Sequence, residues 1–280
     1  MSDDPRSVVP GVAFLSDYGH EDEFVGVCHA VIAAVAPRAT VIDLTHGIAP
    51  HDVRGGALAL LRAVQYLPDD MVVLAVVDPG VGTDRRPIAL RSESRFFVGP
   101  DNGLLSPAVA MLGGAVEAVV LDSDEHRMPS AGGATFDGRD VFAPAAAFLA
   151  TGTPLRDLGS PVPTHELTPL LLPLTTEPNG GALTGQVLWV DRFGNAQLNV
   201  DPQELVALGG APGAEVEISC DGIVRDIRWV SAYAEGEPGE LLLVVDSYGL
   251  VSLACSRGRA VDLMSLGVGA GVVLRVVSGS

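Results

Sequence analysis

Hydrophobic and polar positions follow two different rhythms in the two halves of this chain. From Val12 to about Leu158, short runs of Val, Ile, Leu and Ala alternate with longer amphipathic stretches, as a parallel sheet wound with helices requires. Residues 12–15, 41–44, 72–77, 88–90, 96–98 and 116–121 read as strands. Residues 24–35 predict a helix stopped by Pro37, 53–66 a second closed by Pro68, and 142–150 a third with Gly152 just past its end.

Past Pro161 the rhythm breaks. A proline-studded stretch to Pro178, ending in Asn179-Gly180-Gly181, holds no periodic element and reads as a connector, so domains are expected at residues 1–175 and 176–280. Beyond it, residues 185–190, 215–219, 227–230, 241–245 and 272–277 are short, β-branched and separated by turns, which predicts a small β-barrel or sandwich.

One junction concentrates chemistry. Val76-Val77-Asp78-Pro79-Gly80-Val81-Gly82-Thr83-Asp84-Arg85 is an apolar strand running into a glycine-punctuated turn with two acids and a base. A buried strand ending this way delivers polar side chains to the sheet rim, where open α/β proteins place ligands. Asp17, in Ser16-Asp17-Tyr18-Gly19, follows the first strand onto the same rim, and a carboxylate there either accepts hydrogen bonds from a ribose diol or caps the next turn. Asp22 carries the same two readings. In Thr135-Phe136-Asp137-Gly138-Arg139-Asp140, Asp140 suits a helix start and Asp137 is left over as a site group. Pro100-Asp101-Asn102-Gly103 is explained by turn chemistry. Asp191-Arg192-Phe193-Gly194-Asn195 offers a carboxylate, an aromatic face and an amide, either as a site for a zwitterionic or heterocyclic ligand or as a plain hairpin turn.

Composition narrows the partners. Seventeen basic residues, all arginine, against thirty-five acids give a net charge of −18, which repels phosphate backbones and anionic lipid, so neither nucleic acid nor membrane is expected as a partner. With 48% apolar residues the chain has ample material for a core. The opening residues resemble no signal peptide, and a cytoplasmic location is expected. Cys28, Cys220 and Cys255 form no CxxC pair, and His46 with His51 lacks further ligands, so no disulfide and no metal are predicted.

Taken in order, from Phe14-Leu15-Ser16-Asp17-Tyr18-Gly19 to Ala260-Val261-Asp262-Leu263, these segments resemble the S-adenosylmethionine hydroxide adenosyltransferases, relatives of the fluorinases and chlorinases. The resemblance implies a Rossmann-like α/β domain with a mostly parallel sheet, a carboxyl-terminal β-barrel, and a homotrimer with sites at subunit interfaces. It implies attack of water or hydroxide on the ribose C5′ of S-adenosyl-L-methionine, releasing adenosine and L-methionine, with no cofactor. It assigns Asp17 to the ribose hydroxyls, Asp22 to the neighbourhood of the methionine amine, and Phe136 and Tyr233 to the faces of the nucleoside. Asp191 and Asn195 would meet the methionine amine and the adenine edge, Phe193 would belong to the same substrate-binding set, and Ser247 would bind the methionine carboxylate.

Where the halogenases resemble Tyr-Pro-Ala-Thr-Gly, this chain has Asp78-Pro79-Gly80-Val81-Gly82; a carboxylate there repels halide but accepts a proton from water. The family's Asp/Arg/His triad maps onto Asp78, Arg85 and, in place of the histidine, Asp137. An imidazole titrates near pH ~6.5 and passes protons either way, so this exchange leaves a second reading, a protein that binds S-adenosylmethionine with weak or lost turnover. A S-adenosylmethionine-dependent halogenase is a more distant third.

Overall fold

A computed structural model describes residues 11–69, 71–129, 133–177 and 181–277. The opening segment and residues 178–180 of the expected connector lie outside the described residues. Two compact units emerge, Met1–Leu170 and Leu171–Ser280.

The first unit runs β1 (Gly11–Ser16), α1 (Phe24–Val35), β2 (Thr40–Thr45), α2 (Val53–Val64), β3 (Val72–Val76), β4 (Pro87–Arg91), β5 (Phe96–Pro100), α3 (Ser106–Met111), β6 (Glu117–Val120), α4 (Ala143–Ala150) and β7 (Ser160–Pro161). Its seven strands form one sheet in the order β2-β1-β3-β5-β4-β6-β7. The β2, β1, β3 and β5 pairings are parallel, while β4 pairs antiparallel with β5 and β6, and β6 with β7. Only four residues separate β4 from β5, too few for the crossover a parallel pair needs, so the chain turns back at Ser92–Arg95 as a hairpin.

Both faces of the sheet are covered, which explains the unbroken apolar runs. Along β3, Val72, Leu74 and Val76 enter one core with Phe14 and residues of α1 and α4. The alternate residues Val73, Ala75 and Val77 enter a second with Leu15 and residues of α2 and α3. This two-sided burial fixes the register, because a one-residue slip would exchange the two sets. It also fixes the rim, since β1 and β3 are in parallel register with Ser16 beside Val76.

The second unit contains β8 (Ala182–Val190), β9 (Ala196–Leu198), α5 (Pro202–Ala207), β10 (Glu215–Cys220), β11 (Ile223–Trp229), β12 (Leu241–Val245), β13 (Val251–Cys255), α6 (Ala260–Met264) and β14 (Gly271–Val276). The strands close in the order β10-β11-β12-β13-β9-β8-β14. Of the barrel and sandwich readings, the closed barrel is therefore the observed one. Val216 and Ile218 of β10 alternate into a core with Leu183, Leu198, Leu253 and Leu274. No helix among the described residues is long and apolar enough to cross a membrane.

Candidate active site

β1 and β3 end side by side, so Asp17 and Asp78 leave the sheet at the same carboxyl rim. After Asp78 the chain turns through Gly80 and Gly82, with the Thr83 hydroxyl donating to the Gly80 carbonyl at 2.6 Å. Gly82 takes φ +77°, and a Cβ there would sit 3.1 Å from the Ala134 carbonyl oxygen, so the turn needs glycine. The turn returns Arg85 onto Asp78, its Nε donating to Oδ1 at 3.1 Å and its Nη2 to Oδ2 at 2.5 Å. The same Nη2 donates to Asp137 Oδ2 at 2.7 Å.

One guanidinium thus joins two carboxylates, and the trio carries a net charge of −1. Side-chain exposure is 8% for Arg85, 7% for Asp78 and 20% for Asp137. Burial pushes the Asp78 carboxyl above its ordinary range; the Arg85 charge and hydrogen bonds oppose that shift, and the Asp137 charge adds to it. Arg85 also lies 5.3 Å over the Phe142 ring. Its buried Nη1 has no hydrogen-bond partner among the described residues, a donor left for a ligand or water.

Neighbouring turns brace this trio from behind. Asn102 Nδ2 donates to the Val77 carbonyl at 2.9 Å, immediately before Asp78. Asp101 Oδ2 accepts from Arg86 Nε and Nη2 at 2.9 and 2.6 Å, immediately after Arg85. The Asp101-Asn102 turn therefore does more than reverse the chain.

In front of the trio lies a cavity of about 530 Å³ lined by Asp17, Tyr18, Phe24, Asp78, Phe136 and Asp137 among others. Phe136 stands on the turn that opens a short π-helical segment, Gly138–Phe142, leading into α4. Its ring meets Tyr18 and Phe24 edge-on, at centroid distances of 5.7 and 5.1 Å. A Cβ on Gly138 would lie 1.9 Å from the Tyr18 hydroxyl oxygen, so only glycine lets this aromatic wall close. Burial, ahead of the nearby Cys28, Asp17, Asp78 and Asp137, holds the Tyr18 phenol well above its ordinary range. Asp17 is fixed at the mouth by the His51 backbone N–H, which donates to Oδ2 at 2.8 Å from a residue with φ +68°.

The barrel unit has a pocket of its own, about 410 Å³, lined by Asp191, Asn195, Gln197, Tyr233, Asp246 and Ser247 among others. Asp191 Oδ1 accepts the backbone N–H groups of Phe193 and Asn195, both at 2.8 Å, and Oδ2 accepts Asn195 Nδ2 at 2.7 Å. Asp246 Oδ2 accepts Gln197 Nε2 at 2.6 Å and the Ser252 hydroxyl at 2.9 Å, while Oδ1 accepts the Tyr248 N–H at 2.8 Å. Burial first, then the charges of Asp191 and Asp246, raise the Tyr233 phenol. Phe193 is 74% exposed and lines the adjoining groove with Arg257 and Arg259.

Asp17, Asp78, Phe136 and Asp137 thus line one cavity with Arg85 bonded behind it, and Asp191, Asn195, Tyr233 and Ser247 line the other. Asp22 is exposed in the loop before α1 and lines neither. Sequence reasoning assigned no role to Tyr18, Phe24, His51, Gln197 or Asp246. Tyr18 and Asp246 had a signal, since each adjoins a residue already singled out, Asp17 and Ser247; His51 acts through its backbone, which no side-chain pattern reports.

Comparison with known proteins agrees across both units. Residues 12–159 match the SAM hydroxide adenosyltransferase N-terminal domain and residues 185–273 the SAM hydroxide adenosyltransferase C-terminal domain. The chain is 46% identical over 270 residues to an (R)-S-adenosyl-L-methionine hydrolase from Salinispora tropica, covering 96% of this chain and 98% of that protein. A second (R)-S-adenosyl-L-methionine hydrolase, from Thermus thermophilus, is 42% identical over 91% of this chain and 95% of its own length. The crystal structure of an uncharacterized conserved protein from Thermotoga maritima superimposes with a TM-score of 0.88 at 32% identity, over 94% of this chain and 99% of that one. With both units matched in chain order and near full-length relatives above 40% identity, this chain belongs to the SAM hydroxide adenosyltransferase family.

Proposed function

We propose that this protein hydrolyses S-adenosyl-L-methionine to adenosine and L-methionine by attack of water on the ribose C5′. The observation that carries the reading is the buried Asp78–Arg85–Asp137 group at the rim of a cavity of about 530 Å³. In the proposed step a C5′–O bond forms as the C5′–S bond breaks, and the bonding pair moves to sulfur. The sulfonium leaves as a neutral thioether and needs no acid. Catalysis then reduces to orienting one water, shedding its proton and excluding the rest of the solvent.

Asp78 is the proton acceptor in this reading. Its shift above the ordinary carboxylate range makes it a better base than an exposed aspartate, while Arg85 keeps it anionic. The free Nη1 of Arg85 is the remaining donor for the water oxygen. Asp137 holds the guanidinium through the same Nη2 that bonds Asp78, and the residual negative charge favours a cationic sulfonium over a halide. Asp17 would take the ribose hydroxyls, Phe136 and Tyr233 the faces of the nucleoside, and Ser247 the methionine carboxylate. Asp191 and Asn195 would meet the amine and the adenine edge, with Phe193 and Asp22 at the margins. We further propose a homotrimer with sites at subunit interfaces, acting in the cytoplasm, without a cofactor.

Incubation of the purified protein with S-adenosyl-L-methionine in H₂¹⁸O tests the reaction. Adenosine carrying ¹⁸O at the 5′ position, in equal amount to methionine, is expected. No adenosine above the uncatalysed background between pH 6 and 9 refutes it. Tight calorimetric binding without turnover would instead select the binding-protein reading that Asp137 in the histidine position motivates.

A further inference from the structure

The histidines that the chain spacing paired, His46 and His51, are not the pair that matters. His29 on α1, Asp43 on β2 and His46 just past β2 meet instead, their ligand atoms all within 4.8 Å of one another. His29 Nε2 lies 2.8 Å and His46 Nε2 3.0 Å from the same oxygen, Asp43 Oδ1. We infer that these three side chains form a binding site for a borderline divalent cation of the zinc type, separate from the proposed hydrolytic site and independent of that reading.

Three observations support it. First, the His46 side chain is 0% exposed, yet its Nε2 has no hydrogen-bond partner of good geometry among the described residues. Asp43 Oδ1 lies 3.0 Å from that nitrogen without forming a hydrogen bond to it. A buried imidazole nitrogen left this way costs free energy that a cation would recover. Second, the other ring nitrogen is already oriented. His46 Nδ1 lies 2.7 Å from the Ser16 hydroxyl, and with Nδ1–H donating to that oxygen as an outer-shell bond, Nε2 is the ligand atom. The Phe14 ring, 4.6 Å from the imidazole, closes its apolar side.

Third, the spacing suits a metal. Zinc takes imidazole nitrogen at about 2.0–2.1 Å and carboxylate oxygen at about 2.0–2.2 Å, which in a tetrahedron spaces ligand atoms by about 3.3 Å. The observed 2.8 and 3.0 Å separations need only a few tenths of an ångström of opening. Asp43 and His29 are 40% and 35% exposed, which leaves an entry path and room for a water as fourth ligand.

Two imidazoles and one carboxylate disfavour magnesium and calcium, which prefer all-oxygen sites, and favour zinc, cobalt or nickel. Occupancy would tie α1 to the edge strand β2. Through Ser16, which also accepts the Tyr18 N–H at 3.3 Å, it would stiffen the turn that carries Asp17.

The test uses the full chain stripped with chelator and titrated with Co²⁺, whose visible bands report tetrahedral nitrogen and oxygen ligation. Wild type is expected to bind one Co²⁺ per chain, Zn²⁺ to bleach the bands, and Zn²⁺ to raise the melting temperature. His29→Gln, at a half-exposed position that leaves the core intact, is expected to abolish the bands and the thermal shift. Ser16→Ala is expected to weaken binding by about 10–100-fold, the usual effect of losing an outer-shell partner. Binding below one equivalent, octahedral spectra, or equal affinity in wild type and His29→Gln overturns the inference.

Discussion

Replacing Asp78 by asparagine separates the chemistry of this carboxylate from its packing. The side chain is 7% exposed and receives two of the three hydrogen bonds that Arg85 donates to carboxylates. Asparagine has nearly the same shape and keeps one acceptor oxygen, so one of those two bonds survives. Breaking a buried ion pair costs about 3–5 kcal/mol when the partner charge is stranded. Here Arg85 is not stranded, because Asp137 still accepts from Nη2 at 2.7 Å, and the stability loss should fall below that range. The variant is therefore expected to be folded at 25 °C. What it loses under the proposed mechanism is a base: a positioned proton acceptor is worth about 10²–10⁴ in rate, or about 2.7–5.5 kcal/mol of barrier at 1.36 kcal/mol per decade. The assay is chromatographic release of adenosine over a range of S-adenosyl-L-methionine concentrations, from pH 5 to 9. Wild type should lose kcat/KM on the acid side, with a midpoint above the ordinary carboxylate value of about 3.9, because burial raises Asp78. In Asp78→Asn the loss should appear in kcat rather than KM, and the acid limb should vanish. A variant within about threefold of wild-type kcat, where about 10²-fold is the lower bound for a general base, refutes the role given to Asp78.

Arg85→Met removes the shared cation and leaves two facing carboxylates, which should destabilise by about 3–5 kcal/mol. Asp78, already raised, would rise further; the folded state then holds a proton that the unfolded state releases, so stability is retained below about pH 4 and lost as pH rises through the folded value. Melting curves should show a larger deficit against wild type at pH 8 than at pH 5, and an equal deficit argues against a shared counter-charge. Asp137→His places an imidazole where one carboxylate now bonds Nη2, and should introduce a titration near pH ~6.5 into the kcat profile. An unchanged profile means that position takes no part in proton movement. Gly138→Ala drives a methyl against the Tyr18 hydroxyl, 1.9 Å from where its Cβ must sit, at a cost of about 1–3 kcal/mol for overpacking. Its melting temperature should fall and its KM rise together, and a KM unchanged beside a lowered melting temperature would detach the aromatic wall from substrate binding.

The fold was legible where period and punctuation agreed. The helix expected over residues 24–35 is α1 as observed, because an apolar face at helical spacing ends where Pro37 forbids continuation. α3 and β13 were missed for opposite reasons. α3 has only six residues, fewer than two turns, so no face can be recognised. In β13 all five residues are buried, Ser252 among them, so the alternation that marks a half-exposed strand is absent. Ser252 is tolerated inside because its hydroxyl donates to Asp246, a partner six residues away across a turn. The reversal of β4 against β5 was implicit in the short gap between them, since four residues cannot hold a crossover helix.

The site was legible only in its local half. Asp78 and Arg85 lie on one glycine turn, and a turn of that length brings an acid and a base seven residues apart together whatever the rest of the chain does. Asp137 reaches the same guanidinium from 52 residues away, a closure set by the sheet order and by the glycine that lets Tyr18 and Phe136 pack. Local spacing left Asp137 over as a site group but carries no trace of that contact; only the ordered family resemblance set it beside Asp78 and Arg85. His29, Asp43 and His46 show the same limit, since α1 and β2 bring them together while the sequence suggests only His46 with His51. Position and chemistry also part company at Asp137. Family likeness supplies its place, whereas the consequence follows from charge: two carboxylates on one arginine give a group that draws in a cation and repels an anion, and in the proposed reaction the proton of an attacking water would leave by way of Asp78 with no imidazole to relay it.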